Sequence, residues 1–397
     1  MDYRRCAGLF VEPRERPRFA LEALLAGGDG VEFERTWVAY APHLGGEHEL
    51  DESDVVRLGR LPVHAWSPAS RFDADERAAL DRLVACGLVV AREGESFVDP
   101  AVADLDARQR AQHWRPLSAV AHAYSRWRGV GTPADLAAQP RSLAELIERF
   151  GPPPVAVLER GVAADRIALA EPERDALDAT LHARATCRNF ATRGALSAAD
   201  FARVVDRTLR AHASVEIEPG HAFLKKNTPS GGGLHPVEAY LIVRRIEGLA
   251  AGLYHYHPVA HALEPVEAGS APIDALATTA VAGQAFLADA DVLVVLAARF
   301  ERCFWKYRNH AKAYRVILLE AGCIVQTLYL ACAERGIGAF VTAAINEVEL
   351  EAAFGLDPLE QGVIAVCGFG RRADAMTTAE FDPLARAWPV EPDARDR

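Results

Sequence analysis

The chain has 397 residues, half of them apolar, enough for two or three domains with sizeable cores. A formal net charge of −11 argues against a general nucleic-acid or membrane-surface binder. Seven scattered cysteines without any Cys-x-x-Cys pair leave no zinc site or disulfide framework and read as reduced thiols of a cytoplasmic protein. No long apolar segment follows Arg4 and Arg5, and no apolar run reaches about 18 residues, so neither a signal peptide nor a membrane span is expected.

Residues 1–130 mix short apolar strands with helices. Asp73 opens a helix that runs to Cys86, with Leu80, Leu83 and Val84 at helical spacing, and Gly87 stops it. Leu88 to Ala91, a charged turn at Arg92 to Glu95, and Ser96 to Val98 then outline strand, turn and strand. This is the outline of a winged-helix-like domain. The helix carries no basic cluster, so a peptide-docking wing is the better reading than a DNA binder, with a lid or dimerisation extension as the plain alternative. Residues 131–180 read as a linker, and Gly151-Pro152-Pro153-Pro154 marks its likeliest break.

The second domain spans residues 181–397. A helix over Glu171 to Leu181 leads into Arg184-Ala185-Thr186-Cys187-Arg188. In an extended segment Arg184, Thr186 and Arg188 share one face, so two guanidiniums and a hydroxyl converge on one anion; a solvated arginine pair fits the same spacing. Ser197 caps a helix to about Ala211. Next come Pro229-Ser230-Gly231-Gly232-Gly233-Leu234-His235-Pro236 and a buried strand over Ala239 to Val243. This loop feeds a strand and lacks Gly-Lys-Ser/Thr, so it is no phosphate-cradling P-loop. Its bare backbone either lies against a flat ligand or makes an ordinary tight turn.

Gly252 to His257 and Ala262 to Glu264 predict a hairpin. His255 and His257 share a face there, but no third ligand is in reach, so no metal is expected. Asp291 to Ala298 is a buried strand. Phe304-Trp305-Lys306-Tyr307-Arg308 precedes a long helix over Ala311 to Glu334, apolar nearly all round and therefore central or at a subunit interface. Lys306 between aromatics is either a surface cation or a desolvated base, with Tyr307 beside it. Gln361 to Gly368 forms the last strand, with Arg371 and Arg372 just beyond and Arg386 in the tail.

These segments together resemble the nitroreductase superfamily, and most of all its peptide-modifying branch, the SagB-type thiazole/oxazole dehydrogenases. Arg184-x-Thr186-x-Arg188 is similar to the superfamily's phosphate-gripping Arg-x-Ser-x-Arg/Lys. The Pro229–Pro236 loop is similar to the branch's Pro-Ser-Gly-Gly loop. Gly252-Leu253-Tyr254-His255-Tyr256, the Lys306-Tyr307 element with the helix after it, and Gly336-Ile337-Gly338 onward match in the same order. Thr186 departs from Ser but keeps the hydroxyl. Val341 and Ala343 stand where simple nitroreductases carry Pro and Glu, which disfavours reduction of small nitro compounds or quinones.

The resemblance implies an α+β, FMN-dependent nitroreductase-like fold, a central mixed or antiparallel sheet flanked by helices, behind an N-terminal winged-helix-like domain. It implies FMN as cofactor, held by Arg184, Thr186, Arg188, Pro229, Ser230, Gly231, Gly232, Ala343, Ala344 and a C-terminal cation among Arg371, Arg372 and Arg386. It implies Lys306 and Tyr307 as the catalytic pair and a homodimer that builds the pocket. The expected activity is dehydrogenation of a residue in a ribosomally made precursor peptide, azoline to azole or Cα–Cβ desaturation, alongside other peptide-modifying enzymes. An NAD(P)H-fed reductase and a non-catalytic docking subunit are the alternatives. No nucleic-acid or membrane partner is expected.

Overall fold

The computed structural model describes residues 1–132, 143–267, 269 and 271–388; residues 133–142 of the expected linker lie outside the described residues. The front of the chain contributes strands β1 (Asp2–Arg5), β2 (Phe10–Phe19), β3 (Val31–Tyr40), β4 (Glu47–Leu50), β5 (Ser67–Pro68), β6 (Val89–Glu93) and β7 (Ser96–Phe97). They form an antiparallel sheet in the order β5-β1-β6-β7 and a ribbon in the order β2-β3-β4. Helix Ala74–Ala85 starts where the sequence places it. The Asp73 side chain accepts from the Glu76 N–H, and Glu76 reaches back to the Asp73 N–H in a capping box. Its apolar stripe, Leu80, Leu83 and Val84, packs on Tyr3, Leu88 and Val89.

The ten-residue pairing of β2 with β3 was not legible in the sequence. One face pairs Glu12, Arg14, Arg16 and Arg18 with Val38, Thr36, Glu34 and Glu32, while the other carries Val11, Phe19, Val31, Phe33 and Trp37; Pro13 and Pro17 on that second face argue against a strand and hide the alternation.

The second half adds β8 (Ala211–Glu218), β9 (His221–Lys226), β10 (Val237–Val243), β11 (Gly252–His257), β12 (Ala262–Val266), β13 (Val292–Arg299), β14 (Gly338–Thr342) and β15 (Gln361–Gly370). The last six of these make one sheet in the order β12-β11-β10-β13-β15-β14, antiparallel at every pairing. Seven of the eight residues of β13 are buried, because helices cover both faces. Helices Ala198–Leu209 and Ala313–Ala333 pack on one side, and Ile273–Ala280 and Glu347–Phe354 on the other. Helix Ala313–Ala333 is long and apolar enough to cross a bilayer by length and composition alone, yet its Ile317, Ala321, Ile324 and Leu328 belong to the core.

The two halves are joined by packing. Trp114 inserts among Phe300, Phe304 and Tyr314, with ring centroids 4.4, 4.7 and 5.8 Å away, and its indole N–H donates to Leu359 O at 2.9 Å. His122 stacks on it at 5.6 Å, wholly buried, and burial pushes its imidazole down to about 4. Further on, the N–H groups of Trp127, Gly129 and Val130 donate to Glu347, Glu349 and Asn346 at 2.8–2.9 Å, and Arg126 pairs with the buried Glu351. Residues 114–130 are thus stitched to the second half.

Candidate functional site

The glycine loop is held from below by the central helix. Ser230 donates its hydroxyl to Glu320 Oε2 at 2.5 Å and accepts the His235 N–H at 2.9 Å, while Val237 N–H reaches Glu320 Oε1 at 3.3 Å. Glu320 is only 2% exposed, and burial raises its carboxyl above the ordinary range against the lowering pull of Ser230 and the Val237 N–H. Gly232 and Gly233 take φ of +67° and +69°, a region that favours glycine. A Cβ on Gly231 would meet Val316 Cγ1 at 2.0 Å. One on Gly232 would lie 2.8 Å from the Tyr307 hydroxyl and 2.9 Å from Lys306 Nζ. The bare backbone is therefore what lets the loop lie against Lys306 and Tyr307. Pro229 and Gly232 are exposed at its rim. Thr228 is 3% exposed, and its hydroxyl has no hydrogen-bond partner among the described residues.

The arginine segment meets the same helix further along. Ala185 and Cys187 are buried while Arg184, Thr186 and Arg188 are half-buried, the period-two alternation of an extended strand. Thr186 forms an isolated parallel bridge with Ala339 of β14, and Cys187 N–H donates to Ala339 O at 2.8 Å. The Thr186 hydroxyl lies 3.1 Å from the Tyr329 hydroxyl, and the Arg184 guanidinium sits 5.5 Å from the Tyr329 ring centroid. Beside them is a small cavity of about 80 Å³ lined by Ala185, Tyr329, Gly336, Ala339, Arg372 and Arg386 among others. Arg184, Arg188 and Arg386 have no carboxylate partner among the described residues. Arg372 pairs with Glu380 at 2.8 Å. Burial works to raise the Glu380 carboxyl, but donors from Arg188 N, Trp388, Arg372 and Asn189 hold it below the ordinary range.

Glu320 and Tyr329 are nine residues apart on helix Ala313–Ala333, about 14 Å at 1.5 Å per residue. One helix thus anchors the glycine loop near its start and the Arg184–Arg188 segment near its end.

Other expected site residues lie elsewhere. Arg371 is not brought to this group: its guanidinium bonds to both oxygens of the buried Asp291, at 3.2 and 3.3 Å, and to Arg193 O at 2.6 Å. The strand pleat sends Arg371 and Arg372 to opposite faces, so only Arg372 reaches the cavity. Ala343 and Ala344 follow the free end of the edge strand β14. Ala343 is exposed, and Ala344 O accepts from Gln284 Nε2 at 3.3 Å. Trp305 and Lys306 are both exposed, so within this single chain the surface-cation alternative describes the amine. His255 does meet carboxylates, Glu264 at 2.8 Å and Glu238 at 3.4 Å, as cross-strand partners.

Two contributors were missed. Tyr329 and Glu380 act over separations of 143 and 192 residues, which no local period reveals. The β8–β9 hairpin before the loop was also missed. It buries Lys226 next to Glu238 and Glu320, and burial lowers that ammonium below its ordinary range.

The donor set fits a flavin mononucleotide. Arg184, Arg188 and the Thr186 hydroxyl on one face of an extended segment suit a phosphate, and a backbone cradle that a Cβ would fill suits a planar ring. Residues 181–371 match the nitroreductase family. The chain is 31% identical over 144 residues to the trifolitoxin-processing protein TfxB of Rhizobium leguminosarum bv. trifolii, covering 36% of this chain and 38% of that protein. It is 28% identical over 187 residues to the microcin B17-processing protein McbC of Escherichia coli, covering 46% and 65%. The chain thus spans less than two thirds of the length of either relative. Among solved structures, the E. coli microcin synthetase McbBCD complex with truncated pro-MccB17 bound aligns with a TM-score of 0.45 at 22% identity, over 64% of this chain and 91% of that one.

Proposed function

We propose that this chain, whose residues 181–371 form a nitroreductase-family domain, is an FMN-dependent dehydrogenase that oxidises a residue of a ribosomally made precursor peptide. One observation carries the reading: helix Ala313–Ala333 fixes Ser230 through Glu320 and Thr186 through Tyr329, so a loop for a ring and a cationic edge for a phosphate share one rigid support. Arg184, Thr186, Arg188, Arg372 and Arg386 would hold the phosphate, and the Pro229–Gly233 backbone would face the ring. The bound flavin supplies the two-electron acceptor for a hydride. Lys306 Nζ takes the proton from the substrate's acidic C–H or N–H, and the Tyr307 hydroxyl orients substrate or lysine.

A lysine acts as a base only where its charged form is disfavoured, so the exposed Lys306 has to be covered in the working enzyme. A second copy of the chain meets that need. Leu319 on the central helix is 65% exposed, and Ile167 and Leu169 are 91% and 90% exposed, more apolar surface than one copy covers. The seven unpaired cysteines, five of them buried, fit a reducing cytoplasm. The peptide reading rests on the likeness to two processing proteins, and the front of the chain becomes the peptide-docking module.

The test is mass spectrometry of a cyclodehydratase-treated precursor peptide incubated with the flavin-loaded protein. Loss of two hydrogen atoms from one residue is expected, and Lys306→Ala should abolish it while retaining flavin. Unchanged turnover in Lys306→Ala would remove the base assignment.

A further inference from the structure

The bend between helices Pro100–Ala111 and Pro116–Tyr124 carries His113, Trp114 and Arg115 in succession. Trp114 is driven into the second half, which leaves His113 and Arg115 beside the seam. His113 takes a φ of +55° and Asn309 one of +51°, and the Asn309 N–H donates to His113 O at 3.1 Å. Asn309 belongs to the turn that carries Lys306. Two non-glycine residues in the left-handed region, bonded to each other across the seam, are strain of the kind that gathers where a ligand is clamped. A cavity of about 730 Å³ opens at this point, with His113, Arg115 and Asn309 in its wall beside His64 and Leu117. That volume is ample for a few side chains of a ligand.

The charge of the wall is one-sided. Among the described residues no Asp or Glu lines the cavity. Arg110, also in the wall, is spent: it bonds the buried Asp106 at 2.7 Å and the Val63 and Arg5 carbonyls at 2.7 and 2.9 Å. Arg115 and His64 are exposed, and their side chains have no hydrogen-bond or ion-pair partner among the described residues. The turn that supplies Asn309 repeats the sign. From Arg302 to Arg315 the chain has three arginines, two lysines and no acid. In a chain of net charge −11 such a run stands against the overall balance and creates a local positive field. Trp114 and Leu117, the latter 51% exposed, add apolar surface to the same wall.

We propose that this cavity docks an acidic stretch of the precursor peptide, with Arg115 and His64 receiving Asp or Glu carboxylates and Leu117 and Trp114 receiving a bulky apolar side chain beside them. It rests on the peptide reading above and goes beyond it in placing the docking surface at the seam and naming the sequence chemistry selected there. Asn309 is three residues from Lys306, at most about 11 Å along the chain, so docking here holds the next residues of the peptide within reach of the proposed base. The charge pairs are partly solvated, so the preference for acidic over neutral peptide is moderate, about ten-fold.

Fluorescence anisotropy on the full-length protein tests this with two labelled Gly/Ser decapeptides, each carrying one leucine, one with two glutamates beside it and the other with two glutamines. The glutamate peptide should bind about ten-fold tighter at low salt. Arg115→Gln with His64→Gln should reduce that ratio to about two-fold. Arg203→Gln, on helix Ala198–Leu209 and outside the cavity wall, removes the same charge elsewhere and should leave the ratio unchanged. Equal binding of the two peptides, binding of neither, a ratio untouched by the double variant, or one lowered as much by Arg203→Gln overturns the docking site. Displacement of the labelled peptide by NADPH at a lower concentration than by unlabelled glutamate peptide assigns the cavity to a nucleotide and overturns it too. Flavin content of the same samples separates the two ideas. Charge-selective binding by protein that takes up no flavin keeps the docking site and sinks the redox reading, whereas flavin-loaded, peptide-oxidising protein without charge selectivity sinks the docking site alone.

Discussion

The Gly232 backbone lies so close to the Lys306 amine that a Cβ there would stand 2.9 Å from Nζ. Gly232→Ala therefore meets two penalties, a φ of +67° and a collision with Lys306 and the Tyr307 hydroxyl. Gly248 has a similar φ of +71° with open space around its Cβ position, so Gly248→Ala carries the backbone strain alone. Both variants should lose about 1 kcal/mol of stability from strain, measured by urea unfolding. Only Gly232→Ala should also lose peptide oxidation, and equal activity losses would deny the loop–lysine contact a role.

Glu320 is expected to be a positioning residue. Glu320→Ala strands the Ser230 hydroxyl and the Val237 N–H in a buried setting and should cost about 2–4 kcal/mol. Glu320→Gln retains an acceptor and should cost less than half of that, with flavin retained. A Glu320→Gln protein that folds as well as wild type but no longer holds flavin would instead put the carboxylate in the ligand site.

The two neighbouring arginines after β15 should behave oppositely. Arg371→Ala removes a partner of the buried Asp291, which keeps Arg245 at 2.8 Å, and should destabilise by about 2–3 kcal/mol with flavin affinity little changed. Arg184→Ala breaks no ion pair in the structure and should leave thermal stability of the flavin-free protein nearly unchanged while flavin is lost on gel filtration. Flavin loss in Arg371→Ala at full stability would reverse the assignment.

The seam between the halves should respond to pH. Burial raises the Glu347 carboxyl to about 7, although it accepts the Trp127 N–H and sits near Arg126. An unfolded glutamate titrates near 4.5, so between those values the folded state holds the extra proton. This contribution is complete below about pH 4.5 and is lost as pH rises through 7. After discounting for partial exposure it amounts to about 1–2 kcal/mol. Glu347→Gln should flatten the difference in urea stability between pH 5 and pH 7.5, and an unaltered pH slope would contradict the burial argument.

What the residues disclosed ahead of the fold were local periods. The alternation of Arg184, Thr186 and Arg188, the helix cap at Asp73 and the apolar helix ending at Ala333 each depend on neighbours a few positions away. The carboxylates that make the site work do not. Glu320 under Ser230 and Glu380 across Arg188 and Arg372 come from distant segments, and no spacing rule connects them. Lys306 shows the limit from the other side. Its aromatic neighbours left burial and exposure both open; Trp305 stands exposed, and only a tertiary or quaternary partner can enclose the amine. The front half was legible at helix Ala74–Ala85 and β6, and illegible at the β2–β3 ribbon, where Pro13 and Pro17 interrupt the alternation of charged and apolar faces.

The account depends above all on flavin mononucleotide being held between the Arg184–Arg188 segment and the glycine loop. The most direct measurement is the visible absorption spectrum of the purified full-length protein after incubation with FMN and gel filtration, with the released cofactor quantified after denaturation. The account predicts flavin absorbance at about one FMN per chain, from the phosphate-matching cations and the shared helical support. Folded protein that emerges colourless, with FMN recovered only in the small-molecule fraction, would contradict it.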